Sequence, residues 1–332
     1  MPANECSKYD ETLSKDKEYR ISFGDSGAGG LIFALDLLQE LESKLKALES
    51  EYEVKFIFQH VGDSKNSPYG IKSSDEIRNL TKNLINYMAN LSNTKTLVVA
   101  CNTALTTYDS NMDKFFKKKY PNLNIITMID ESSEGIVNLA TANSNDKKNI
   151  HIALLATPAT INSNAYQSKI KEMVKSNNQN LKLYTYSPQQ WVKNIENGAD
   201  IKVIEEVIAN DMEIFKNQMG KDFTKIEVVG LFCTHYPFYK NEIKNFFIKN
   251  GNQNVKILTQ GNIFSDKIYR DIKANIYNYK YNKRKLQVPQ ECVREIDINS
   301  DITGDNILQM KNIIDKTYSK YSELISFKKV KI

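Results

Sequence analysis

Apolar positions along this chain follow two different periods. Short runs rich in β-branched and aromatic residues read as strands: Tyr19–Gly24, Val54–Val61, Thr96–Ala100 and Asn124–Ile129 in the first half, and Asn149–Ala156, Leu181–Tyr186, Lys225–Phe232 and Val255–Thr259 in the second. Within each half these runs begin roughly 30, 40 and 30 residues apart, which leaves room for a crossover helix each time. Between them the period lengthens. Leu31–Leu48 places leucines at helical spacing with charges on the other face, and Lys72–Leu91 repeats the pattern with Ser73 or Ser74 available as its cap. Alternation of this kind predicts an α/β protein of two similar lobes, each a mainly parallel sheet flanked by helices, with the active site in the cleft between them. The expected division is an N-terminal extension over 1–18, a first lobe over 19–142, a second over 143–272 joined through the polar stretch Ser144–Lys148, and a partly helical C-terminal appendage over 273–332 with no place in the eight-strand plan.

Composition narrows the class. The 332 residues are 41% hydrophobic, enough to build substantial cores. A net charge of +5, from 45 basic and 40 acidic residues spread along the chain, is too even for a nucleic-acid binder, and the run Lys280–Lys285 reads as solvated surface. No apolar run approaches the roughly 20 residues needed to cross a bilayer. The polar opening residues carry no secretory core, so a cytoplasmic protein with reduced thiols is expected. Its cysteines, Cys6, Cys101, Cys233 and Cys292, lack the spacing of a disulfide framework or a zinc site, and no metal is expected.

The chemistry lies just beyond the strands. Asp25-Ser26-Gly27-Ala28-Gly29-Gly30 follows the first run and opens into a helix, an arrangement suited to a small carboxylate. A dinucleotide fingerprint would need glycine where Ile32 stands, and no Walker-type Gly-Lys-Ser/Thr follows. Gly24-Asp25-Ser26 resembles a hydrolase nucleophile motif. However, the histidines are His60, His151 and His235, and none has the aspartate three residues earlier near the C-terminus that such enzymes use. Cys101-Asn102-Thr103 and Cys233-Thr234-His235 occupy corresponding places in the two halves. A lone cysteine after a buried strand is often mere packing. Two at matching places, on lobes that face one another, suit removal of a proton from one face of a carbon and its return on the other. His235 is placed to tune Cys233, and Asp25 to orient or relay a proton near Cys101.

FGDSGAGGL (23–31), VGDSKNSPYG (61–70), VVACNTA (98–104), LLATPATINSNAY (154–166) and GLFCTHYP (230–237), in this order, resemble the glutamate racemases of the aspartate/glutamate racemase superfamily. The resemblance covers about residues 20–270. It implies interconversion of L- and D-glutamate with Cys101 and Cys233 as the acid/base pair, and no pyridoxal phosphate, metal or other cofactor. It also implies substrate contacts at Asp25, Ser26, Tyr69, Gly70, Asn102, Thr103, Thr160, Thr234 and His235, with Glu196 assisting catalysis. By the order of the motifs, Cys101 would act on D-glutamate and Cys233 on L-glutamate. The implied role is supply of D-glutamate for peptidoglycan in a bacterial cytoplasm. The expected partner is a small amino acid, with neither nucleic acid nor membrane, and a homodimer is left open. Lys65-Asn66-Ser67, Leu105-Thr106 and Thr259-Gln260-Gly261 depart from the family pattern. Two alternatives stay open here: a racemase of aspartate or another amino acid, and a racemase-like protein that binds a partner through its tail.

Overall fold

The computed structural model describes residues 18–52, 55–91, 94–144, 148–198, 201–280, 294–300 and, with short gaps, 311–329. The N-terminal extension up to residue 17, the basic run from 281 onward, and Cys6 and Cys292 lie outside the described residues.

The first lobe runs β1 (Glu18–Asp25), α1 (Gly29–Tyr52), β2 (Lys55–Gly62), α2 (Ser74–Ala89), β3 (Thr94–Val99), α3 (Asn102–Leu105), α4 (Ser110–Lys119), β4 (Asn124–Ile126) and α5 (Ile129–Asn143). The second runs β5 (Asn149–Leu155), α6 (Pro158–Asn162), α7 (Ala165–Ser176), β6 (Asn180–Tyr186), α8 (Trp191–Glu196), α9 (Ile201–Met219), β7 (Val228–Leu231), α10 (Lys240–Lys249) and β8 (Lys256–Thr259). Each predicted strand is present, within a few residues at either end. Every pairing is parallel, so two parallel sheets flanked by helices form the molecule.

Local physics accounts for the helices. In α1 every residue from Leu31 to Leu38 is buried, and beyond them Leu41 and Leu45 carry the buried face on at helical spacing. Ser73 caps α2 through a reciprocal box: its hydroxyl accepts from the Glu76 N–H at 3.3 Å while its own N–H donates to the Glu76 carboxylate at 2.9 Å. The sheet covered on both faces explains why Ser22, between Ile21 and Phe23 on β1, is buried as deeply as they are and bonds Gln59 at 3.0 Å.

After β8 the chain departs from the expected plan. Helix α11 (Gln260–Lys280) packs along α1, returning the chain to the first lobe. Then β9 (Arg294–Ser300) pairs in parallel with β2, and β10 (Ile325–Lys329) pairs with β9. The first sheet therefore has six strands, in the order β10-β9-β2-β1-β3-β4, and the second has four, β6-β5-β7-β8. The expectation of an appendage outside the sheet plan is corrected: these segments extend the first sheet. The helix read over the tail gives way to a strand at Ile325. Ending the chain at residue 290 would leave the β2 edge unpaired. The expected result is a protein recovered mainly as aggregate, checked by soluble yield and light scattering.

Strand order also fixes where ligands collect. The chain passes from β1 to β2 on one side and to β3 on the other, so the first sheet reverses direction between β1 and β3. The second sheet does the same between β5 and β7. Open parallel sheets form a crevice at such points, beyond the C-terminal ends of the strands. Asp25 and Cys101 stand at the first crevice, Thr157 and Cys233 at the second.

Candidate active site

Cys101 leaves β3 with its N–H on the Gly24 carbonyl at 3.3 Å and caps the short helix α3, its sulfur accepting from the Ala104 N–H at 3.4 Å. The thiol lies 3.6 Å from the Ser26 hydroxyl, which donates to Asp25 Oδ1 at 3.3 Å. Asp25 Oδ1 also accepts from the Gly27 N–H at 3.2 Å, while Oδ2 accepts from Thr234 of the other lobe at 3.0 Å. A chain of polar groups thus runs from one thiol across the seam to the residue after the other thiol. Burial pushes the Asp25 carboxyl up to about 6, partly offset by the His235 charge. Burial, and then the Asp25 carboxylate, push the Cys101 thiol up to about 12.

Cys233 is equally buried, and its sulfur lies 3.8 Å from His235 Nδ1. The other ring nitrogen, Nε2, meets Glu196 Oε1 at 2.6 Å. Burial disfavours a charged imidazole, yet the bonds to Cys233 and Glu196 and the Glu196 charge outweigh it and hold His235 well above the ordinary histidine range. Glu196 is opposed by burial in the same way, but His235 and the Ala28 N–H, donating at 2.8 Å, hold it below the usual carboxylate range. Helix α8 carries Glu196 and is anchored by buried Trp191, whose indole N–H donates to Asp211 at 2.7 Å and whose ring meets Tyr236 edge-on.

The glycines of the first loop permit this approach. A Cβ at Gly27 would fall 2.2 Å from Glu196 Oε1, and one at Gly29 would fall 2.2 Å from Thr234 Oγ1. Second-lobe side chains therefore press on the loop where side chains are missing. Beneath it His60 is buried, and burial pulls it down to about 4, so it stays neutral at working pH.

The remaining residues singled out from sequence lie around the same seam. Thr103 shares a hydrogen bond with Thr157 at 3.1 Å, and Thr157 another with Thr160 at 2.9 Å, joining the two lobes a second time. Tyr69 is buried, with its hydroxyl donating to Asp63 at 2.8 Å, and Gly70 faces the Thr157 side chain. Asn102 pairs with Gln260 and accepts from the Tyr166 hydroxyl. Sequence reasoning gave no site role to Gln260, Tyr166, Ser132, Asp63 or Thr157. Asp63, Tyr166 and Thr157 sit inside the matched segments, and Gln260 was visible only as a departure from the family pattern. Nothing in the sequence around Ser132 marks it. Among the described residues no group of three or more His, Cys, Asp and Glu side chains could hold a metal ion, and no helix is long and apolar enough to cross a membrane.

The two parallel-sheet lobes thus place one buried thiol at each switch point. No protein-family model matches the chain. A glutamate racemase of Clostridium acetobutylicum is 32% identical over 268 residues, covering 80% of this chain and 88% of that protein. One of Clostridium botulinum is 35% identical over 229 residues, covering 69% and 76%. Among solved structures, glutamate racemase isoform RacE1 of Bacillus anthracis superposes with a TM-score of 0.67 at 18% identity, over 95% of this chain and 98% of that one. The Francisella tularensis glutamate racemase, solved in complex with D-glutamate, gives 0.61 at 22% identity over 95% and 98%. The chain belongs to the glutamate racemase family.

Proposed function

We propose that the protein interconverts L- and D-glutamate with the two thiols as acid and base, without a cofactor. The observation that carries this reading is the symmetry of the site: each sheet contributes one buried cysteine, and each cysteine touches a group linked by hydrogen bonds to the opposite lobe. An amino acid held in the seam would meet a thiol on each face of its α-carbon. Abstraction of the weakly acidic α-proton needs a thiolate, and the His235 cation beside Cys233 stabilises negative charge on that sulfur. Cys101, pushed up to about 12, rests as the thiol and supplies the returning proton. By the order of the motifs, Cys233 acts on L-glutamate and Cys101 on D-glutamate, with Ser26 and Asp25 as the path by which the Cys101 proton is exchanged. Asp25 titrates near 6, so a proton can enter and leave it close to neutral pH.

Substrate contacts follow the same reading. Asn102, Thr103 and Thr234 lie within two residues of the cysteines in the chain, Ser26 meets the Cys101 thiol in space, and these groups would hold the α-carboxylate and amino group, with Tyr69, Gly70 and Thr160 lining the far wall. The product's role is supply of D-glutamate for peptidoglycan in the cytoplasm of a bacterium. The test is polarimetric: purified protein with L-glutamate, then with D-glutamate, and aspartate as the control. The expected result is decay of either glutamate enantiomer to the racemate without added cofactor. Turnover of aspartate in preference to glutamate would replace the substrate while keeping the chemistry.

A further inference from the structure

Asn102 directly follows Cys101, so a carboxylate it binds sits next to the carbon that this thiol must reach. On the reading of the protein as a racemase, that group is the substrate α-carboxylate, which takes up charge as the α-proton leaves. What Asn102 offers there is decided by its neighbours. Its Oδ1 accepts from Gln260 Nε2 at 2.9 Å and from the Tyr166 hydroxyl, which uses both lone pairs. Its Nδ2 donates one hydrogen to Gln260 Oε1 at 2.8 Å. The second N–H has no hydrogen bond among the described residues. Gln260 is fixed in turn: its NH2 lies 3.1 Å from the Ser132 hydroxyl and 3.2 Å from Tyr166. All four side chains are buried or nearly so, and they come from α3, α5, α7 and the start of α11, so both lobes contribute. Turning the Asn102 amide over by itself would set NH2 against NH2.

We propose that Gln260, supported by Tyr166 and Ser132, is a positioning residue that locks the Asn102 amide as a pure donor aimed at the substrate α-carboxylate. A donor held in place before reaction stabilises the charge that develops on that group, with no reorganisation during the step. The contribution therefore falls on kcat more than on KM, since the bond strengthens as the carboxylate gains charge. The same lock disfavours any ligand group that can only donate a hydrogen bond at this point.

Two substitutions test the role. Gln260→Met fills the space without hydrogen bonds, and its kcat for glutamate is expected to fall about 10-fold with a smaller change in KM, against the 10²–10³ that loss of a donor itself costs. Gln260→Glu gives a sharper signature. With the introduced carboxyl protonated, it can still donate to Asn102 Oδ1 and accept from Nδ2. Once ionised it only accepts, so one of its oxygens faces the Asn102 amide oxygen with no proton between them and the amide loses its fixed orientation. In this variant kcat is expected to climb toward the wild-type value as pH is lowered, relative to the wild type measured at each pH. A merely structural role would lower the thermal midpoint without creating that limb. Should Gln260→Met fail to fold, the Gln260→Glu profile decides alone. Wild-type kcat and an unaltered pH profile in the folded variants would overturn the proposal. The wild type in the same assay separates the two levels: if it does not racemise glutamate, the reading of the reaction falls, whereas an active wild type beside unaffected variants removes only the role of Gln260.

Discussion

Cys101→Ser and Cys233→Ser are each expected to slow racemisation by roughly 10³-fold, within the range a positioned acid or base contributes. The exchange of sulfur for oxygen is small and leaves the surrounding hydrogen bonds available, so the thermal midpoint should hold. What is lost is acidity, because a serine hydroxyl neither ionises readily nor returns a proton as a thiol does. Each turnover uses both groups, one removing the proton and the other delivering it. Either substitution therefore blocks both directions, and the double variant should be little worse than either single one. Polarimetry from each enantiomer, beside a melting curve for each variant, makes the check. Full activity in either single variant would mean that its thiol takes no part.

Glu196→Ala should produce the second largest effect, and one that depends on pH. His235 is buried with Glu196 as its charged partner at 2.6 Å, and removing one member of such a pair strands the other. The cost is expected to be about 3 kcal/mol near pH 6. Glu196 is held below its ordinary 4.5, so its contribution is present above that value and is lost as pH falls through the lowered one. His235 is held above its ordinary 6.5, so its contribution is complete below 6.5 and is lost as pH rises through the raised one. The stability gap between wild type and variant should therefore be widest from about pH 4.5 to 6.5 and narrow on either side. Urea denaturation at three pH values measures it. Catalysis should suffer as well, since a neutral His235 no longer stabilises charge on Cys233. A gap that is flat with pH would show that Glu196 acts through packing alone.

Much of this was legible in the chain, for identifiable reasons. The central strands stand out because parallel strands covered on both faces are largely apolar, as in Ile150, Ile152, Ala153, Leu154 and Leu155 of β5. Cys101 and Cys233 could be paired from sequence because each directly follows such a run. Edge strands carry a weaker signal. Arg294–Ser300 reads REIDINS, with three charged residues among its first four, and its strand character comes from pairing with β2 rather than from its own composition. The helical reading of the tail holds among the described residues up to Leu324, and pairing with β9 overrides it from Ile325 onward. The lock on Asn102 was hidden for another reason. Ser132, Tyr166 and Gln260 are far apart in sequence, and only the return of α11 to the first lobe brings them together. Glu196 was reached by resemblance as a residue that assists catalysis, while its pairing with His235 and the close approach that the missing side chains at Gly27 and Gly29 allow belong to the fold.

The central claim is that two thiols on opposite faces of one carbon share each turnover. It is tested most directly by racemising L-glutamate in heavy water and separating the enantiomers at low conversion for mass analysis. Two distinct groups predict that the new D-glutamate carries deuterium at the α-carbon while the remaining L-glutamate keeps its hydrogen, because the proton delivered comes from a thiol that had exchanged with solvent. Deuterium entering the remaining L-glutamate as fast as D-glutamate forms, or D-glutamate that retains the original hydrogen, would point to a single base acting on both faces and would contradict the account.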